Sequence, residues 1–441
     1  VKDPRFIVIL LLVAFALRAG LLVLVPESAT LAPDSVDYLE LADALRQGDG
    51  YSRAGQAELF RPPGYPVCLA AVNVLTGGRA STVMPWLQVL VDCLNILLVL
   101  ALARQLTPQC SPRWAMGWQV IATTAIVYSC KLLSETLFTC VFLLLLCLAI
   151  RVARRLSADD GVPYAQLLLL LPCLGLMLYL RAITLPLVAC LVGWCLLWRR
   201  WQLALVLFLG LVACAAPWVM RNQAHGFSGF GCNGDVTFYR YHATALAARQ
   251  NGRSFAEQQT IHTTALLKQE GQGAQGEFAA REWKRIIFSS PFEYALIHLQ
   301  KSPMALLPIE GELARMLGAD VGGNGTMAVI NTHGFSAGVR HYFGGNLWLL
   351  APLSLLVLLV IAKFAFAGLG LWTALAQRDQ WLVHGLLVIS GLVCVGILGP
   401  DAHPRFRVPV EPILSLYAGL GLWRVSRGLR QKPLNSEQEA R

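Results

Sequence analysis

Charge is scarce in this chain. Only 14% of its 441 residues are Asp, Glu, Lys or Arg, where a soluble protein carries about a quarter. Hydrophobic residues make up 56%. Together these exclude a soluble enzyme, a disordered tail protein and a fibrous repeat, and they fit an integral membrane protein with many spans. Acidic residues are the scarcer sign, 26 against 36 basic, for a net charge of +10. A nucleic-acid binder would gather that excess on one soluble face. Here it lies in short segments between apolar stretches, as the positive-inside rule requires, so no nucleic-acid partner is expected. The 12 cysteines form no CxxC pair and sit mostly inside apolar runs, such as Cys140, Cys147, Cys190 and Cys195. They read as small apolar side chains. No His, Asp or Glu spacing reads as a metal site. No cofactor is therefore named, and a divalent metal stays open without support. No internal repeat is visible.

What is present is a series of apolar runs of roughly spanning length. The first, 6–25, follows Lys2 and Arg5. It is too long for the apolar part of a signal peptide, and no A-x-A site follows it, so it is read as a span. Further runs lie at 84–103, 114–130, 134–150, 165–180, 183–198, 202–219, 346–365, 381–399 and 408–424. That makes about ten spans in an all-α bundle. The stretch 63–76 is too short to span and reads as a re-entrant or interfacial helix. Basic residues at 104, 113, 151, 154, 155, 199, 200, 424, 427, 430 and 432 place both termini in the cytoplasm. The expected units are a transmembrane module over 1–220 with an outer loop at 27–83, and a helical outer segment over 221–345. C-terminal spans over 346–426 and a basic tail over 427–441 complete the chain.

Charges inside a bilayer cost about 2.5–3.5 kcal/mol at a helix centre. Arg18 and Asp92 each lie roughly 12 Å below the outer surface on this topology, and they are expected to pair. His384 reads as a packing residue and Lys363 as snorkelling to the inner face. The remaining distinctive polar residues collect at the outer face: Asp34, Asp37, Arg61, Lys131, Glu135, Arg181, Arg221, His403, Arg405 and Arg407. Few carboxylates among many cations suit a phosphate-bearing, membrane-embedded substrate.

The first outer loop, Pro33-Asp34-Ser35-Val36-Asp37-Tyr38 with Gly48-Asp49-Gly50-Tyr51 and Arg61-Pro62-Pro63-Gly64-Tyr65-Pro66, resembles that of polytopic GT-C glycosyltransferases. The nearest group is bacterial family 39-like enzymes, related to protein O-mannosyltransferases and the lipid A aminoarabinose transferase. Leu133-Ser134-Glu135-Thr136, Ala216-Pro217-Trp218-Val219-Met220-Arg221-Asn222 and His403-Pro404-Arg405-Phe406-Arg407-Val408-Pro409 carry the same likeness, in the same order. The resemblance implies a GT-C fold in the bacterial plasma membrane. It implies transfer of a sugar from a polyprenyl-phosphate-linked donor to an acceptor (protein, lipid or polysaccharide) on the extracytoplasmic face. It gives Asp34, in its D-x-x-x-Y setting, the catalytic role. Where many relatives have Asp-Glu, this chain has Asp34-Ser35.

One carboxylate is chemically sufficient. A glycosyl phosphate has a weakly basic leaving group, so a base on the acceptor hydroxyl and cations around the phosphate serve for an inverting single displacement. Asp37, Tyr38 and Glu135 are candidates for catalytic support. Arg61, Lys131, Arg181, Arg221, His403, Arg405 and Arg407 are candidates for donor phosphate or sugar binding. Plainer readings stay open. Asp34 can cap a helix, Arg61 can hold a turn with Pro62, Pro63 and Gly64, and Glu135 can face a helix dipole. Lys131, Arg181 and Arg221 can anchor to headgroups. A secondary transporter or flippase is the alternative function. It lacks the expected repeats and leaves the D-x-x-x-Y loop without a role. A polysaccharide polymerase or ligase would use the same donor chemistry.

Overall fold

A computed structural model describes residues 4–106, 112–158, 163–322, 326–344 and 346–431. The expected tail residues 432–441 lie outside this set. Among the described residues six helices are long and apolar enough to cross a membrane: Pro4–Leu24, Ala80–Leu106, Glu135–Ser157, Trp201–Ala224, Leu347–Leu375 and Arg378–Gly396. Tyr164–Leu180 and Thr184–Leu197 are shorter apolar helices, and Glu411–Gln431 closes the bundle. The protein is an all-α, polytopic membrane protein.

One expected span is not continuous. The run 114–130 divides into Arg113–Val120 and Thr123–Cys130, with Ala122 extended between them (φ −67°, ψ 98°). A break inside a bilayer frees carbonyls that need donors. Arg18 supplies them. Its Nη1 donates to Val120 O at 3.2 Å and its Nη2 to Gln119 O at 3.4 Å. Its Nε meets Asp92 Oδ2 at 2.6 Å, and Asn95 donates to the other Asp92 oxygen at 3.0 Å. One buried guanidinium therefore neutralises a carboxylate and caps a broken helix.

Lys363 departs from the sequence reading. It does not snorkel; it is buried and ion-paired with Glu411, whose other oxygen takes Arg407 Nε at 2.7 Å. A buried partner on the neighbouring helix removes the need to reach water. Their two helices lie in close contact. A Cβ on Gly421 would fall 2.0 Å from Phe366 O, and one on Gly370 1.8 Å from Tyr417 O, as small-residue helix interfaces in membranes allow. His384 is buried against the Tyr417 hydroxyl at 3.1 Å.

The parts between the long apolar helices are largely helical. Pro33–Gln47 begins with proline at its first position and ends at left-handed Gly48 (φ 87°), the usual start and stop residues. A two-stranded hairpin follows, pairing Ser52 with Ala57 and Arg53 with Gln56. Its turn residues Ala54 and Gly55 both have positive φ. Gly64–Thr76 is the expected short helix. Gly64 is no turn former, because a Cβ there would sit 2.6 Å from Tyr179 O; it lets this helix press on Tyr164–Leu180. The segment 221–345, read from the sequence as helical, includes the helices Gly271–Ser289 and Pro291–Lys301.

Candidate functional site

The helix Pro33–Gln47 is pinned to the turn before Glu135–Ser157. Ser35 Oγ accepts from Ala32 N–H at 2.9 Å and donates to Leu132 O at 2.8 Å, while Leu132 N–H donates to Thr30 O at 2.8 Å. These bonds set the faces of Asp34 and Tyr38, one turn apart, beside Lys131 and Glu135. Asp34 is not the cap; Ala32 holds that position.

Both Asp34 oxygens meet guanidinium groups. Arg61 Nη2 lies 2.8 Å from Oδ1 and Arg405 Nη1 2.9 Å from Oδ2. Arg61 also grips Asp37 Oδ2 at 2.9 Å, and Arg53 takes Asp37 Oδ1 at 2.5 Å. The Arg61 guanidinium lies over the Tyr38 ring, 5.5 Å from its centre. Arg181 Nη1 meets Glu135 Oε1 at 2.6 Å, and Arg405 Nε lies 3.9 Å from the same oxygen. Lys131 Nζ meets Glu312 Oε1 at 2.7 Å. The site thus gathers Asp34, Asp37, Tyr38, Arg61, Lys131, Glu135, Arg181 and Arg405.

Electrostatics follow from this packing. Burial disfavours the Asp34 anion, but Arg405 and Arg61 outweigh it and hold its carboxyl below the ordinary value. Burial likewise opposes charge on Arg405, and Glu135 and Asp34 overcome it, so its guanidinium is held more firmly protonated than usual. Burial raises Tyr38, with Arg61 opposing, so the phenol stays neutral. Asp401, next to this group, is pushed up to about 6 by burial; Arg405 opposes the rise and Asp34 adds to it.

Three expected residues stand elsewhere. Arg407 is buried with its donors spent on Glu411, Thr124 Oγ1 (2.6 Å) and the carbonyls of Leu306 and Leu307 (2.7 and 3.0 Å). His403 supports Arg405: its Nδ1 accepts from the Arg405 N–H at 3.2 Å and caps the turn Pro404–Val410. Arg221 clasps the hairpin, donating to Glu58 O at 2.6 Å and Tyr51 O at 2.8 Å. Its guanidinium packs on Trp218, 4.8 Å from the ring centre.

The sequence reading missed Glu58, Gln272 and Glu312. Fully buried Glu58 accepts the N–H groups of Phe60 and Arg61 at 2.7 and 2.9 Å, fixing the backbone that aims Arg61. Gln272 bonds both Leu59 N–H (2.7 Å) and Glu58 Oε2 (3.1 Å), tying the segment 221–345 to the first loop. An open cavity of about 970 Å³ adjoins the hairpin, lined among others by Glu40, Asp49, Tyr51, Arg53, Arg221 and His225. Among the described residues no three His, Cys, Asp or Glu side chains converge as a metal site.

The sequence matches no protein-family profile and no curated protein. Solved structures do match in fold. The archaeal oligosaccharyltransferase AglB from Archaeoglobus fulgidus, in complex with an inhibitory peptide and a dolichol-phosphate, aligns with TM-score 0.50 and 13% identity over 97% of this chain and 50% of that one. The same enzyme tethered with an acceptor peptide aligns with TM-score 0.50 and 13% identity over 99% and 51%. ArnT from Cupriavidus metallidurans bound to undecaprenyl phosphate is a looser match, with TM-score 0.41 and 15% identity over 96% and 78%. The chain spans about half the length of the AglB structures. At this identity the likeness is one of architecture: the chain shares the all-α, polytopic fold of the AglB structures.

Proposed function

We propose that the protein is a membrane glycosyltransferase that moves a sugar from a polyprenyl-phosphate-linked donor to an acceptor on the extracytoplasmic face of the bacterial plasma membrane. Both termini then lie in the cytoplasm. The acceptor is a protein, a lipid or a polysaccharide. The observation that carries the reading is Asp34, an ionised carboxylate held between Arg61 and Arg405 where the helices end. Its lowered pKa keeps it in the base form at neutral pH. The dolichol-phosphate in AglB supports a polyprenyl-phosphate ligand for this fold.

In the proposed step the acceptor hydroxyl oxygen attacks the anomeric carbon. Its proton passes to Asp34, and the bond from carbon to phosphate oxygen breaks with the electron pair leaving on phosphate. Arg61 and Arg405 turn their free donors to that growing charge, with Lys131 and Arg181 around them. The single displacement inverts the anomeric centre. Asp37 and Glu135 orient the guanidinium groups, and Tyr38 supports Arg61 through its ring face. Arg221, His403 and Arg407 act by positioning.

A transporter or flippase would need ionisable groups free along a pathway. Here the intramembrane charges Arg18, Asp92, Lys363 and Glu411 are paired with one another or with Arg407. The test is Asp34→Asn, assayed for transfer of radiolabel from a polyprenyl-phosphate sugar to membrane fractions. Normal insertion with a loss of about 10²–10⁴-fold is expected for a base. Unchanged transfer removes Asp34 from that role.

A further inference from the structure

Each site cation is matched by a carboxylate of the chain itself, and for Lys131 that carboxylate comes from far along the sequence. The Lys131 backbone is fixed. Its carbonyl accepts from Gln88 Nε2 at 2.5 Å, and the next residue is bonded on both sides to Thr30 and Ser35. Its ammonium is nearly buried and meets Glu312 Oε1. Glu312 is less confined, with its side chain 27% exposed. Its second oxygen is held at 2.7 Å by Arg315, one turn along the same helix, Glu310–Met316. Glu312 can therefore give up Lys131 and keep a cationic partner. Lys131 has no second carboxylate partner among the described residues.

The neighbouring Glu310 adds to this asymmetry. It is 3% exposed, and neither carboxyl oxygen is in hydrogen-bond geometry; burial raises its carboxyl above the ordinary value, with the N–H groups of Glu310 and Ile309 and the Arg407 guanidinium opposing. Burying an unpaired carboxyl is costly. This acidic helix thus sits against the site with one carboxylate paired on Lys131 and another carboxyl buried outside any ion pair among the described residues.

We propose that Glu312 is an internal anion occupying the seat on Lys131 that the donor's phosphate takes over, and that it thereby sets selectivity among lipids. A phosphate that also engages Arg61 and Arg405 can displace Glu312, because it gains several charge-assisted hydrogen bonds at once. A bulk anionic lipid that offers Lys131 a single contact cannot. The seat is closed to weak anions by competition rather than by shape. This rests on the transferase reading above.

The test measures binding of a polyprenyl phosphate and of phosphatidylglycerol to the full chain in detergent micelles. The proteins are wild type, Glu312→Gln, Lys131→Met and the double variant, each checked for a monodisperse, cooperatively melting sample. Glu312→Gln should bind both lipids more tightly, phosphatidylglycerol by roughly tenfold and by the larger factor, the size of one charge-assisted hydrogen bond. Lys131→Met should weaken polyprenyl phosphate by about as much, and Glu312→Gln should then have no further effect. If Glu312→Gln weakens or leaves both affinities while Lys131→Met still weakens binding, Glu312 merely positions Lys131 and the proposal is overturned. Wild type that binds no polyprenyl phosphate would sink the transferase reading and this inference with it.

Discussion

Arg18 shows how much one intramembrane residue can carry. Its guanidinium is fully buried, bonds Asp92, and donates to carbonyls of both its own helix and the broken one. Removing one partner of a buried pair leaves an uncompensated charge and costs about 3–5 kcal/mol. Arg18→Leu and Asp92→Leu should each lower the melting temperature in detergent. The double variant should lose less than the sum of the two, since the stranded charge is gone. It should not recover fully, because the Val120 carbonyl loses the Arg18 donor and the Gln119 carbonyl is left with the Ala122 N–H. Strict additivity in that cycle would show that the pair carries no coupling. The pair was legible in the sequence because two rare charges fall at equal depth on helices entering from one side. Arg407 was read differently from where it sits. Its i,i+4 spacing to Glu411 was the signal that it belongs inside the bundle, whereas cation density drew it to the rim. Glu58 left no signature, because its partners are the Phe60 and Arg61 backbone N–H groups, Gln272 from far along the chain and Arg53 across the hairpin, none of them a side-chain pair at a helical spacing.

Among the elements, the hairpin 52–57 is the one that neither hydropathy nor turn chemistry announced. Its strands are two residues long, too short for alternation to register, and a two-stranded ribbon is marginal alone. Arg221 makes it persist by bonding the carbonyls at both of its ends, Tyr51 and Glu58. The hairpin in turn carries Arg53 to Asp37 and leads directly into Arg61. Arg221→Ala should therefore lower transfer by about tenfold or more, in line with misplacement of a reacting group from a distance. Arg221→Lys should fail to rescue it, since an ammonium on a single stem lacks the planar fork that spans two carbonyls. The informative readout is donor affinity. A clasp acting through Arg61 predicts weaker donor binding and slower turnover together, whereas a simple headgroup anchor predicts neither. The broken helix at Ile121–Ala122 was invisible for a related reason. Hydropathy reads 114–130 as one apolar run, and the donors that permit the break sit about a hundred residues away on Arg18.

At the scale of the whole molecule, the segment 221–345 and the last spans must agree on where Arg405 stands. One chain of hydrogen bonds links them. His298 Nε2 contacts Gly396 O, at the foot of the loop that leads to Arg405, and its Nδ1 lies 3.0 Å from the Tyr294 hydroxyl, which lies 2.8 Å from His242 Nδ1. A carbonyl can only accept, so His298 donates from Nε2 to Gly396 O, and the Tyr294 hydroxyl bridges the Nδ1 atoms of His298 and His242. His242 is buried and stacked on Phe238, 4.2 Å between ring centres. Burial, with His298 adding to it, pushes its pKa down to about 3 from an ordinary 6.5. The folded protein therefore binds fewer protons than the unfolded chain between those values. The stability this represents is fully present above pH 6.5 and is lost as pH falls from there toward 3, at about 1.4 kcal/mol per pH unit for one group. Melting of the full chain between pH 7.5 and 5 should show the decline. His242→Phe keeps a ring on Phe238 and carries no titrating group, so its melting temperature should fall less over the same range. Because His242 of the folded protein stays neutral down to about pH 3, it leaves the loop that positions Arg405 unchanged between pH 7.5 and 5, and the transfer rate of the folded protein should show no acid limb from His242. Asp34 supplies none there either, since its own pKa lies below the ordinary carboxylate value. An acid limb of transfer in that range, unchanged in His242→Phe, would be assigned to Asp401, whose carboxyl burial pushes up to about 6.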